Sequence, residues 1–195
     1  RDSDFFKELL RDQERTIGRL DSRFKGIDRS DTGERYEYDP SYAAIQGMFT
    51  SAFNSYIRQT LNFKLDTPYE ILTGSVQPWN YGRARNRYAN VSDDLRSAMS
   101  QNPFLRVLAQ CGYYDLATPY FAMDYTASHL GLDAARRANL TQTYYYSGHM
   151  MYIRKADFEQ FTEDVRAWYA KAPPTAELVL PVEPAGLVKP AGLGK

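Results

Sequence analysis

The sequence predicts an α/β fold, in which strands of a parallel sheet alternate with helices, preceded by a mostly helical region. Three observations carry this. Residues 104–170 spell strand, helix, strand, helix. The first of those strands, Phe104-Leu105-Arg106-Val107-Leu108-Ala109 running on to Gly112, is a short apolar run suited to burial on both faces, as in parallel sheets. Before residue 100 the apolar residues instead recur at helical intervals between loops.

The elements follow in order. Phe5, Phe6, Leu9, Leu10, Ile17 and Leu20 fall three or four residues apart or at multiples of that spacing, which predicts one amphipathic helix through that stretch. Residues 21–37 are rich in Asp, Arg, Gly and Ser without a period and read as a long loop. Asp39 is a suitable N-cap and Pro40 a suitable first helical residue. After them Ile45, Met48, Phe49, Ala52, Phe53, Tyr56, Ile57 and Leu61 form one apolar stripe. Pro68, Gly74, Pro78 and Gly82 interrupt residues 66–89, and a short helix is predicted over about 92–99. Thr118-Pro119 opens a helix to about Leu130, Thr141 to Tyr146 is a second strand, and residues 155–170 form a helix with Phe158, Phe161, Val165 and Trp168 on one face. Residues 173–195 hold five of the ten prolines among Gly and Ala, the composition of an extended tail. Three regions result: 1–100, helical; 101–172, strands and helices; 173–195, Pro/Gly-rich.

Composition narrows the function. With 24 basic and 24 acidic side chains the chain has no long-range field to gather nucleic acid or an anionic membrane surface. No apolar run approaches the roughly 20 residues that span a bilayer. The chain opens at Arg1, inside a predicted helix, which suggests processing, truncation or the second chain of a cleaved precursor. The single cysteine, Cys111, excludes an internal disulfide and reads as a small core residue. His129 and His149 are the only histidines, and neither lies in a pattern that binds zinc, so no metal is expected. There is neither a phosphate-binding Gly-rich loop nor a G-x-S-x-G turn, so a nucleophile must come from elsewhere.

Two residues stand out by placement. Asp115, in Cys111-Gly112-Tyr113-Tyr114-Asp115, follows the first predicted strand, and His149, in Ser147-Gly148-His149-Met150-Met151, follows the second. Ligands of open α/β sheets bind at the carboxyl ends of the strands. A carboxylate there that accepts from one imidazole nitrogen fixes the tautomer and leaves the other nitrogen free to take a proton. Each also has a plainer role, Asp115 as a turn former and His149 as a structural histidine beside glycine. His129, just before Gly131, reads as a helix-end cap. The basic and aromatic run Tyr81 to Tyr88 reads as a solvated loop, and the eight tyrosines between 113 and 152 suit either a cleft wall or ordinary packing.

The stretch from Pro103 to Tyr152, with Gly112-Tyr113-Tyr114-Asp115 and Ser147-Gly148-His149-Met150-Met151, resembles the C-terminal part of serine carboxypeptidases, especially a bacterial branch. Gly18-Arg19-Leu20-Asp21-Ser22-Arg23-Phe24 and Tyr38-Asp39-Pro40-Ser41-Tyr42 resemble that branch's lid insertion, so only the tail lies outside the likeness. The resemblance implies the C-terminal portion of an α/β-hydrolase sheet with a helical lid insertion, whose triad runs Ser, Asp, His along the chain. It implies that Asp115 orients the base, that His149 is general base and acid, and that Met150 lines the pocket for the departing residue. It further implies peptide C-terminal hydrolysis through an acyl-enzyme, without cofactor or metal, with the serine on an N-terminal half of the same precursor, and secretion or periplasmic export. A non-catalytic relative that binds without reacting, and an acyltransferase with the same triad, are the alternatives.

Overall fold

A computed structural model describes residues 2–29, 35–67 and 69–171. The Pro/Gly-rich tail and residues 30–34 of the predicted long loop lie outside the described residues. The chain is a mixture of helices and small sheets, as an α/β class requires.

The predicted first helix is shorter than its periodicity implies. Helix α1 spans Asp2–Glu8, and a 3-10 turn at Arg11–Gln13 follows it. Ile17 belongs to strand β1, Thr16–Ile17, which pairs antiparallel with β2, Lys25–Gly26, inside the expected loop. The cause is tertiary. Thr16 and Ile17 are each 1% exposed, and the Thr16 hydroxyl donates to the Phe6 carbonyl, so pairing and burial outweigh helical spacing. The buried Lys7 and Asp28 pair at 3.3 Å and tie α1 to the end of this hairpin.

Helix α2, Pro40–Gln59, begins where Asp39 and Pro40 predict, with the Asp39 carboxylate accepting from the Ser41 and Tyr42 amides. Only its first turns are buried. Ile45 is 3% exposed, whereas Met48 and Leu61 are 62% and 57% exposed, so most of the apolar stripe faces solvent. Helix α3, Ser92–Gln101, buries Met99.

The sheet that positions the candidate site comes next. Strands β3, Val107–Gly112, and β4, Leu140–Tyr145, are parallel, with Val107 opposite Leu140 and Gly112 opposite Tyr145. Helix α4, Tyr120–His129, and the short α5, Ala134–Arg137, connect them, and α6, Lys155–Ala170, follows β4. Successive strand residues point to opposite faces, and the hydrogen bonds show which helix covers which. Gln142 and Tyr144 both donate to Asp124 of α4, while Tyr145 donates to Asp164 of α6. The sheet is thus sandwiched between α4 and α6. Arg106 closes the far end of α6, donating to the carbonyls of Trp168 and Lys171 with its guanidinium over the Trp168 ring. Among the described residues β3 and β4 each pair along one edge only.

Candidate active site

Because β3 and β4 are parallel, the chain leaves both at the same sheet edge, and the Asp115 and His149 loops emerge side by side. Pairing continues past the strand ends, since the amides of Tyr113 and Tyr114 donate to the carbonyls of Tyr145 and Ser147. Gly112 permits this approach. A Cβ on it would fall on the Gly148 carbonyl oxygen and within 2.5 Å of the Ser147 oxygen, both backbone atoms with little room to yield.

The two loops bring the predicted pair together. His149 Nδ1 lies 2.8 Å from Asp115 Oδ2. Three further donors fix the carboxylate: the amides of Ala117 and Thr118, at 2.8 and 2.9 Å from Oδ1, and the Thr118 hydroxyl, 2.6 Å from Oδ2. The first two form the tight turn that Asp favours, so the plainer role of Asp115 and its role toward His149 are filled by different oxygens. The Thr118 oxygen is also 3.2 Å from His149 Nδ1. Its proton is engaged with Asp115, so both neighbours of Nδ1 are acceptors. The hydrogen-bond network therefore assigns the proton of the neutral imidazole to Nδ1 and the lone pair to Nε2. The Asp115 side chain is 6% exposed and that of His149 45%, which leaves the ring open to a reacting group.

The segment from Arg19 to Arg23 braces this arrangement. The Leu20 carbonyl accepts from the His149 amide at 2.7 Å, the Arg19 carbonyl accepts from Leu116, and the Ser22 amide donates to Tyr114. Asp21, 3% exposed, accepts from the Gly148 amide at 3.1 Å and pairs with Arg23 at 2.6 Å. Arg23 in turn donates to the Tyr146 carbonyl and lies over the Tyr114 and Tyr146 rings. Its hydrogen bond to Asp21, opposed by burial, holds the guanidinium above its ordinary value. The α2 N-terminus anchors the brace: Asp39 accepts from the Arg19 amide and the Ser41 hydroxyl oxygen from the Leu20 amide. The first turn of α6 holds the His149 loop from behind, with Ser147 donating to Asp157 and Arg154 pairing with Asp157 at 2.9 Å. Burial pushes the Asp157 carboxyl up, but the hydrogen bonds from Ser147 and Arg154 outweigh it and leave it below the ordinary value.

His149 lines a cavity of about 460 Å³ with Arg19, Leu20, Tyr36, Asp39, Tyr42, Leu72, Ala117 and Thr118. Met150 does not line it. It is half-buried, and its carbonyl accepts from Ile153 in the 3-10 turn that precedes α6. Other cavities, of about 840 Å³ beside His129 and about 600 Å³ beside Trp79 and Arg87, lack a carboxylate–imidazole pair among their lining residues. His129 caps the last turn of α4 through the Tyr125 carbonyl and stacks on the Tyr125 ring. Cys111 is buried, and burial together with Asp124 and Asp115 raises its thiol, the opposite of an activated nucleophile. Among the described residues no group of three or more His, Cys, Asp and Glu is arranged to hold a metal.

An imidazole with an accepting Nε2, a fixed tautomer and an open approach can take a proton from a hydroxyl or water and return it. No serine, cysteine or threonine side chain hydrogen-bonds to Nε2 among the described residues. No protein-family model, curated protein or solved structure matches the chain.

Proposed function

We propose that this chain carries the acid–base pair of a serine-type acyl hydrolase of the serine carboxypeptidase kind, built on the C-terminal part of an α/β-hydrolase sheet. The observation that carries the reading is the pair itself, with Asp115 Oδ2 at 2.8 Å from His149 Nδ1 at the carboxyl edge of two parallel strands. The order of the pair, Asp before His with one crossover between, suits that fold. The nucleophilic serine and the oxyanion donors belong to an N-terminal half outside these residues. Two features support such a partner. Among the described residues the strands are paired along one edge only, an unstable condition for a parallel sheet, and the exposed apolar side chains of α2 and the residues just after it, such as Met48, Tyr56 and Leu61, need a cover.

In the proposed reaction Nε2 accepts the serine proton as Oγ attacks the last peptide carbonyl, and the same proton passes to the departing amine as the C–N bond breaks. Water, deprotonated by Nε2, then attacks the acyl-enzyme, and the serine recovers its proton. Asp115 stays ionised throughout and orients the imidazolium.

The test treats the native protein with a fluorophosphonate and takes intact masses of every polypeptide present. The reading expects one adduct on serine, with labelling slowed by about 10³-fold or more in His149→Ala and Asp115→Asn. No adduct on any polypeptide would turn the reading to a non-catalytic relative.

A further inference from the structure

Helix α4 carries three rings along one exposed face. Phe121, Tyr125 and His129 are spaced four residues apart, so they follow one another up the helix at steps of about 6 Å. Phe121 is 70% and Tyr125 59% exposed, and the His129 ring stacks 3.9 Å from that of Tyr125. Together with Tyr88, from the loop before α3, they line the cavity of about 840 Å³. Small-molecule sites enclose roughly 300–1,000 Å³. The rest of the wall decides what fits there. It contains no Asp, Glu, Lys or Arg, and its polar groups are Asn90, Ser92 and Thr126. The Asn90 Oδ1 is taken by the Ser92 amide, which leaves the NH₂ group to donate. His129 Nδ1 has two acceptors beside it, the Tyr125 carbonyl at 2.7 Å and the Ser128 oxygen at 3.0 Å, whose own proton goes to the same carbonyl. The neutral ring therefore carries its proton on Nδ1, and Nε2 is an acceptor. The wall thus offers aromatic rings, hydrogen-bond donors and an acceptor nitrogen, without a fixed charge.

We infer that this cavity is a binding site for a neutral oligosaccharide, whose sugar rings pack on Phe121, Tyr125 and Tyr88 while their hydroxyls bond to Asn90 and His129. A sugar ring has a C–H face that suits an aromatic ring and a rim of hydroxyls that both donate and accept, so it can satisfy the Asn90 NH₂ and the His129 Nε2 at once. Single-stranded nucleic acid would stack on the same rings, but its phosphates would meet no cation on this wall. A proline-rich peptide also suits an aromatic groove, but proline has no N–H to give to His129 Nε2. The site stands on its own residues and does not depend on the acyl-hydrolase reading.

The test titrates the native protein, labelled with ¹⁵N-histidine, with three neutral trisaccharides, maltotriose, cellotriose and triacetylchitotriose, and with a proline decamer. Binding is read from the imidazole resonances of His129, with His149 as the remote control. The inference expects at least one trisaccharide to shift the His129 signals saturably, with a Kd on the order of 1 mM, while His149 stays unmoved. Phe121→Ala and Tyr88→Ala should each weaken that binding about fivefold, and Phe121→Tyr should keep it. Phe121 and Tyr88 are 70% and 99% exposed, so their truncation leaves the fold intact, which an unchanged urea midpoint checks. Several results would overturn the inference: no saturable shift by any trisaccharide, as a polypeptide covering the stripe would give; binding by the proline decamer alone; a shift of His149 equal to that of His129; or an affinity that survives both alanine variants. Fluorophosphonate labelling is scored separately, so a failed saccharide site and a failed hydrolase reading give different results.

Discussion

Asp21→Asn is the substitution that probes how the candidate site is held. The carboxylate has two oxygens at work: Oδ1 accepts from the Arg23 amide and Nε at 3.0 and 2.9 Å, and Oδ2 accepts from the Gly148 amide at 3.1 Å and Arg23 Nη2 at 2.6 Å. Asparagine offers one oxygen, and its NH₂ group turns a donor toward two donors on the other side. Leaving a buried amide such as Gly148 N–H unpaired costs about 1–3 kcal/mol. Breaking a fully buried ion pair costs about 3–5 kcal/mol, but the Arg23 side chain is 31% exposed, so only a fraction of that applies. The expected loss is about 2–4 kcal/mol, measured by urea denaturation of the native protein. The second readout is local. Gly148 precedes His149, so the His149 imidazole resonances move while those of His129 stay. A stability change under about 0.5 kcal/mol, the range of ordinary surface substitutions, would refute the brace. Loss of stability with His149 unmoved would make Asp21 a structural residue without influence on the site.

Gly112→Ala puts a Cβ against the backbone of the Gly148 loop, so destabilisation of about 1–3 kcal/mol is expected from overpacking, together with slower fluorophosphonate labelling as the Asp115 and His149 loops are pushed apart. A variant with wild-type stability and labelling would contradict that geometry. Tyr144 donates to Asp124, and this bond, with burial, pushes its phenol up to about 12. A group raised in the folded state contributes stability that is complete below its unfolded value near 10 and lost as pH rises through the folded value. Tyr144→Phe should therefore flatten the loss of stability between about pH 10 and 12, and a tyrosine that ionises near 10 in ultraviolet titration of the difference between wild type and variant would contradict the assignment.

Local signals made part of this structure legible. Asp39-Pro40 marked the start of α2 because capping and a fixed proline φ act within one turn. The apolar run that ends at Gly112 and the stretch from Thr141 to Tyr146 marked β3 and β4, and their parallel pairing set Asp115 beside His149. The end of α1 at Glu8 was hidden, because the spacing of Ile17 is equally helical and its true partner is Lys25 in the loop. The brace was hidden for the same reason: Asp21 meets Gly148, a residue far along the chain, and no periodicity encodes that contact. One signal was available, since Asp followed two residues later by Arg in a Gly- and Ser-containing stretch is a turn-forming pattern, and the Asp21 carboxylate does accept from the Arg23 amide. Met150 is expected at the departing residue's pocket through resemblance alone; it precedes the 3-10 turn Met151–Ile153 and is not among the residues around the cavity of about 460 Å³ beside His149.

The most direct measurement of the central claim is the tautomer of His149, read from long-range ¹⁵N–¹H correlations of histidine-labelled protein at a pH where the imidazole is neutral, with His129→Gln assigning the signals. The Asp115–His149 pair requires the proton on Nδ1 in the native protein and its transfer to Nε2 in Asp115→Asn, where an NH₂ group can face Nδ1. A native His149 that carries its proton on Nε2, or whose tautomer is indifferent to Asp115, would contradict the claim that this pair is an oriented general base.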